Sequence, residues 1–579
     1  MCHLFRRALM KEEQQVKFQD YVYERPNLEE IQAKFHATLQ LFDKSETVED
    51  QVEATRTMNA LRNDFSTASN LVYIRHSVDT TDAFYKEEQA FMDENAPYME
   101  SLQSKLYDRL VNSRFRRELE EQFGKQLFRL AEAELKTFSD EILPLLQKEN
   151  KLSSEYTELL ASAKIPFEGE ERTLAQLTPF SESKDRDMRR RASEARFQFL
   201  ADNEETLDRI YDDLVQVRTE MAAKLGMKNF VELAYFRMTR VDYNAEDVKV
   251  FRNGVKEHVV PLATRLKERQ KERIGVDELT YYDEAFQYTT GNATPKGSAA
   301  WILEQGKSMY KELSKETDEF FTFMTDKELL DVEAKKGKAG GGYCTYIENY
   351  LSPFIFSNFN GTSGDIDVLT HEAGHAFQVY SSRHYTVPEY TFPTYEACEI
   401  HSMSMEFFTW PWMKNFFEED VDKYYFSHLS DALLFLPYGV SVDEFQHWVY
   451  ENPSATPAER KAKWREIEKT YMPHKDYQGF DYLERGGFWQ RQGHIYTSPF
   501  YYIDYTLAQV CAFQFWVRMR ENRDTAWDDY VALCKRGGSE SFLELVASAK
   551  LRSPFETGCL REVTEEIDAY LQTIDDKVL

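Results

Sequence analysis

His371, Glu372 and His375 carry types and spacing that suit metal chemistry. On a helix, positions i and i+4 lie about 40° apart around the axis, so both imidazoles leave one face and can share one Zn2+. Glu372 falls on the flank, close enough to hold a water bound to such an ion. With 12 His in 579 residues, chance supplies an H-E-x-x-H in roughly one such chain in forty. The motif therefore needs companions.

A catalytic zinc needs a third protein ligand and one open position. Downstream runs Tyr395-Glu396-Ala397-Cys398-Glu399-Ile400-His401-Ser402-Met403-Ser404-Met405-Glu406. As a helix it puts Glu399, Met403 and Glu406 on one face. Glu399 is the leading third ligand, and Glu406 is placed to orient a ligand from behind. Glu396, one turn earlier, and His401 are rivals, and solvated helix charges are the plain alternative.

If a metal-bound water attacks a carbonyl carbon, negative charge builds on the former carbonyl oxygen, so donors are needed opposite the water. The segment 493–505 offers His494, then Tyr501, Tyr502 and Tyr505. Pro499 suits a first helical turn, which would put the Tyr501 and Tyr505 hydroxyls on one face and Tyr502 about 100° away. Tyrosines are common here, 34 in all, and a buried one usually packs and bonds its hydroxyl. His384, His428, His447 and His474 receive no role.

Helical segments must position these groups. Apolar periodicity predicts helices over 17–163, one of them running from Leu28 to Leu41 behind an Asn27 cap, and again over 184–237 and most of 400–575. Pro166 and Gly169 interrupt at 165–180 with a short hairpin or a loop, and a boundary is set there, giving a helical lobe over 1–183 and a catalytic region over 184–579. Residues 332–361 are the clearest β region: a glycine-rich turn at 335–342, then alternating apolar runs at 343–350 and 353–359. The turn lacks G-x-x-x-x-G-K-[ST], which rejects a phosphate cradle and leaves a loop beside a cleft or a surface turn. Gly361-Thr362-Ser363-Gly364-Asp365 is expected to cap the helix bearing the histidines.

The chain exceeds the size at which one core stops growing. Its formal charge of −29, from 71 Lys+Arg against 100 Asp+Glu, argues against a nucleic acid partner. Six dispersed cysteines with no C-x-x-C favour reduced thiols and the cytoplasm. Arg6 and Arg7 precede too short an apolar stretch for a signal peptide, and no window is long enough to span a membrane.

Residues 354–410 resemble the catalytic core of the M3 zinc metallopeptidases, the thimet oligopeptidase and oligoendopeptidase F group. The matching text is Asn358-Phe359-Asn360-Gly361-Thr362, Thr-His-Glu-Ala-Gly-His-Ala-Phe over 370–377, and Glu399-Ile400-His401-Ser402 through Glu406. The resemblance, to the oligoendopeptidase F branch, implies one Zn2+ per chain on His371, His375 and Glu399, with Glu372 as the catalytic glutamate. It implies oxyanion donors at His494, Tyr501 and Tyr505, their register left open. It also implies a mainly α fold of the gluzincin type: two helical lobes enclosing a deep channel, a small β-sheet beside the zinc-binding helix, and short peptides as substrates. The strand near 353–359 is expected to pair with an extended peptide. The gap from His375 to Glu399 is a residue shorter than in the thimet branch, which keeps Glu396 open. Two other readings compete: a zinc carboxypeptidase on a related helical scaffold, with Arg491 or Arg485 clamping a terminal carboxylate, and a non-catalytic peptide-binding protein.

Overall fold

The structure is a computed structural model that describes residues 16–335 and 337–579. Cys2, the Arg6–Glu13 stretch and Lys336 of the glycine-rich turn lie outside the described residues. The fold is mainly α, with two small sheets. Two compact units form. One takes the described residues through Leu135 with Gly297–Pro393 and Tyr530–Ser541; the other takes Lys136–Lys296, Thr394–Asp529 and Phe542–Leu579.

In the first unit, α1 (Leu28–Lys44) opens where expected, with the Asn27 side chain accepting from the Glu30 amide at 3.2 Å. A long helix follows, α2 (Val48–Val78). The second unit contains α3 (Leu143–Ala161), the hairpin β1 (Ile165–Phe167) and β2 (Glu170–Arg172), α4 (Glu204–Lys224) and α5 (Phe230–Arg237). The hairpin turn needs two positive φ values, and Glu168 (51°) and Gly169 (77°) supply them.

Glu149 of α3 ties this unit together. Arg218 of α4 donates to it at 2.6 Å and Arg237 of α5 at 3.0 Å. Burial opposes its ionisation, but the Arg237 and Arg218 guanidiniums prevail and hold the carboxyl down at about 2. A folded pKa below the unfolded value gives stability that is present above the usual carboxylate range. That contribution is lost as pH falls from about 4.5 through about 2. Glu149→Gln should cost about 3–5 kcal/mol at neutral pH, because it strands a buried cation. In urea titrations the deficit should shrink as pH drops below about 4; an equal deficit at both pH values would rule this linkage out.

The three-stranded sheet of the first unit comprises β3 (Leu330–Glu333), β4 (Tyr343–Ile347) and β5 (Ser352–Phe359), in the order β3-β5-β4. β5 is central, parallel to β3 and antiparallel to β4. The expectation that 353–359 pairs with a peptide is corrected: both sides of β5 already have strand partners, so an added strand needs an outer edge. Asn70 of α2 covers part of the β4 edge, donating to the Tyr346 carbonyl at 2.8 Å and accepting from the Thr345 hydroxyl at 3.1 Å. The glycine-rich turn before β4 is pinned by Asn358, whose amide donates to the Ala339 and Gly341 carbonyls at 2.8 and 2.9 Å.

The remaining elements that carry the site are α6 (Gly364–Ser382), α7 (Tyr395–Phe408), α8 (Val421–Glu451), α9 (Gly493–Thr497) and α10 (Tyr502–Glu521). α6 packs on β4 and β5, and α10 packs against α7 and α8. No helix among the described residues is long and apolar enough to cross a membrane.

Candidate metal centre and oxyanion side

α6 starts at Gly364, and Ser363 makes no side-chain cap bond. The entry loop is closed instead by Asp365, whose carboxylate accepts from the Asn360 and Gly361 amides at 2.8 Å each. His371 and His375 then project one turn apart, their ring centroids 5.0 Å from each other. Among the described residues, one group of possible metal ligands comes together: His371, His375 and Glu399 each offer an atom, all within 4.8 Å of one another. Two imidazole nitrogens and one carboxylate oxygen form the donor set of a catalytic zinc site, so these residues fit that ion. Glu396 and His401 are not in the group.

Glu399 is held from two directions within its unit. Tyr501 donates its hydroxyl to Oε1 at 2.6 Å, and Ser402 donates to Oε2 at 2.9 Å. Ser402 is three residues along α7, so that bond comes directly from helix spacing. Glu396, one turn earlier, is buried elsewhere. Burial first, then the nearby Asp504 charge, pushes its carboxyl well above the usual range, against the pull of Arg240. Glu406 accepts from His428 Nε2 at 2.9 Å when that nitrogen is protonated.

Glu372 is buried beside its flanking histidines. A Cβ built on Gly342 would stand 3.3 Å from Val368 Cγ1 and 3.5 Å from Glu372 Oε1. The end of the glycine-rich turn therefore approaches Glu372 closely. Cys344, at the start of β4, has its thiol pushed well up by burial and further by the Glu372 charge.

On the oxyanion side, the expected helix from Pro499 does not form. Phe500 is buried with φ of 68°, which stops a helix there, and α10 begins at Tyr502. This conformation is held at both backbone atoms: the Phe500 amide donates to Gln446 Oε1 at 2.9 Å, and Arg240 donates to the Phe500 carbonyl at 2.5 Å. Arg240 also donates to Asp504 at 2.8 Å, anchoring the first turn of α10. Tyr501 consequently reaches Glu399. Tyr505 packs at a tilt against Tyr501, 4.9 Å between centroids, with its hydroxyl 3.4 Å from His494 Nε2. Tyr502 packs edge-on against Tyr438 at 5.7 Å.

Sequence reasoning missed Arg240, Gln446, Gln492 and Tyr438. Gln492 alone left a local signal, two residues before His494. Burial pushes the His494 imidazole below its ordinary pKa, with Glu399 opposing, so the ring is neutral at pH 7. Of the two proposed carboxylate clamps, Arg485 already pairs with Glu204 and Asp481, at 2.8 Å each. Arg491 stacks over the Phe488 ring at 4.3 Å.

Comparison with known proteins places this geometry. The Peptidase M3 N-terminal domain matches residues 18–138, and Peptidase family M3 matches residues 180–565. A solved structure of PZ peptidase A with an inhibitor is 66% identical, with a TM-score of 0.96 over 97% of this chain and 100% of that one. A putative oligoendopeptidase F from Bacillus anthracis str. Ames is 64% identical, with a TM-score of 0.91 over 97% and 99% of the two chains. The oligoendopeptidase F homolog of Borreliella burgdorferi is 24% identical over 68% of this chain and 69% of its own. A family match over most of the chain, joined to a His-His-Glu cluster on helices, makes this protein a metalloendopeptidase of peptidase family M3.

Proposed function

We propose that the chain is a zinc-dependent oligoendopeptidase that hydrolyses internal bonds of short peptides. The observation that carries this reading is the convergence of His371, His375 and Glu399 within 4.8 Å, with Glu372 next to the first ligand. His371, His375 and Glu399 would hold one zinc ion. Bound zinc would supply Lewis acidity, polarising the scissile carbonyl and making water a stronger acid near neutral pH.

The protein's own groups do the rest. Glu372 accepts the proton of the attacking water and delivers it to the leaving amine. His494 and Tyr505 present donors where the carbonyl oxygen gains charge, and the Tyr501 hydroxyl orients Glu399. A short peptide would lie extended, its backbone added to an outer edge of the sheet near Gly342. A channel between helical lobes, as the family resemblance implies, would admit short peptides and exclude folded proteins. Cys344, Cys511, Cys534 and Cys559 are free thiols, which supports a reducing, cytoplasmic setting.

Mass spectrometry of a peptide mixture, before and after incubation, tests this reading. Short peptides should be cut at internal bonds, with free or amidated C-termini alike, and a folded protein should survive. A chelator should stop cleavage and added zinc should restore it. Turnover that persists in rigorously metal-free enzyme would overturn the proposal.

A further inference from the structure

His494 can serve as an oxyanion donor only if its proton sits on the nitrogen that faces the reaction. A neutral imidazole carries one N–H, and the partner of the other nitrogen selects which. In this protein a chain of side chains makes that selection. The Tyr438 hydroxyl donates to Gln492 Oε1 at 2.7 Å. With Oε1 accepting, the Gln492 amide nitrogen must be the donor toward its other neighbour. That neighbour is His494 Nδ1, at 2.8 Å. Nδ1 accepts, so the imidazole proton resides on Nε2, the nitrogen 3.4 Å from the Tyr505 hydroxyl.

We propose that Tyr438 and Gln492 form a one-way hydrogen-bond relay that fixes the Nε2–H tautomer of His494. Each is a positioning residue: neither needs to touch substrate, and each acts through the next. The relay joins two distant elements, since Tyr438 comes from α8 while Gln492 directly precedes α9. Its direction follows from the Gln492 amide, whose oxygen can only accept and whose nitrogen can only donate. The inference rests on the reading of His494 as an oxyanion donor only for its catalytic consequence; the tautomer stands on the hydrogen bonds themselves.

Gln492→Glu is the decisive variant. A carboxylate can only accept, so it should draw the proton to Nδ1 and strip it from Nε2. Nitrogen spectra of the full chain labelled with 15N-histidine, metal-free and zinc-loaded, report the tautomer directly, with His494→Gln assigning the resonance. At a pH where the imidazole is neutral, the native chain should show Nε2–H and Gln492→Glu should show Nδ1–H. In the same variant kcat should fall about 10²–10³-fold, the cost of one lost oxyanion donor, with KM changed less than about threefold. Should Gln492→Glu not fold, Tyr438→Phe frees the amide to turn, and the spectrum should then show both tautomers. A native proton on Nδ1, or a single unchanged tautomer in these variants, overturns the relay. Full kcat in His494→Gln would instead sink the oxyanion reading, and the spectra would still decide the relay.

Discussion

Glu372→Gln is expected to lower kcat by about 10³-fold while leaving the fold and the bound metal in place. The substitution keeps the size and shape of the side chain, which matters because the position is buried and Gly342 approaches it closely. An amide cannot take a proton from water, so the variant loses the base that starts the reaction and the acid that ends it. Both roles belong to the transition state, so kcat and kcat/KM should fall together with KM nearly unchanged. Single-turnover kinetics with zinc content measured on the same sample checks this. Native turnover in the purified variant would take Glu372 out of the mechanism.

The second large effect separates the two glutamates of α7. Glu399→Ala should empty the site of zinc, weakening affinity by more than the roughly 10–100-fold that follows loss of a supporting hydrogen bond. Glu396→Gln should keep its zinc. The distinction is physical: Glu399 belongs to the ligand group and is oriented at both oxygens by Tyr501 and Ser402. Glu396 is buried near Asp504 and Arg240, and burial pushes its carboxyl well up toward the protonated form, which an uncharged isostere resembles. Metal analysis after dialysis against a weak chelator reads both variants. Zinc lost from Glu396→Gln and kept in Glu399→Ala would exchange the two assignments.

Local chemistry was legible where the causes are local. The H-E-x-x-H spacing specifies a helix face by itself, and that helix forms as Gly364–Ser382. The helix carrying Glu399 follows equally from its periodicity, although nearly all of it is buried and so offers no polar stripe to distinguish ligand from bystander. The tyrosine register was not legible. Pro499 favours an earlier helix start, and only the positive φ of Phe500, imposed by Gln446 and Arg240, shifts the start to Tyr502. Strand 353–359 was found, but periodicity cannot say whether a strand has open edges; that depends on β3 and β4 arriving on either side.

By itself the sequence determined that two histidines and a glutamate share one helical turn, that a second helix offers carboxylates at helical spacing, and that a histidine with several tyrosines follows. Those facts arise from the 3.6-residue period, which acts over four or five residues and needs no distant partner. Which carboxylate joins the histidines, which tyrosine reaches it, and which nitrogen of His494 holds the proton were decided by tertiary structure. Each depends on groups tens to hundreds of residues apart in the chain, such as Arg240 with Phe500 or Tyr438 with Gln492. Burial makes those choices firm, because a polar group withdrawn from water must take the partner that folding brings to it.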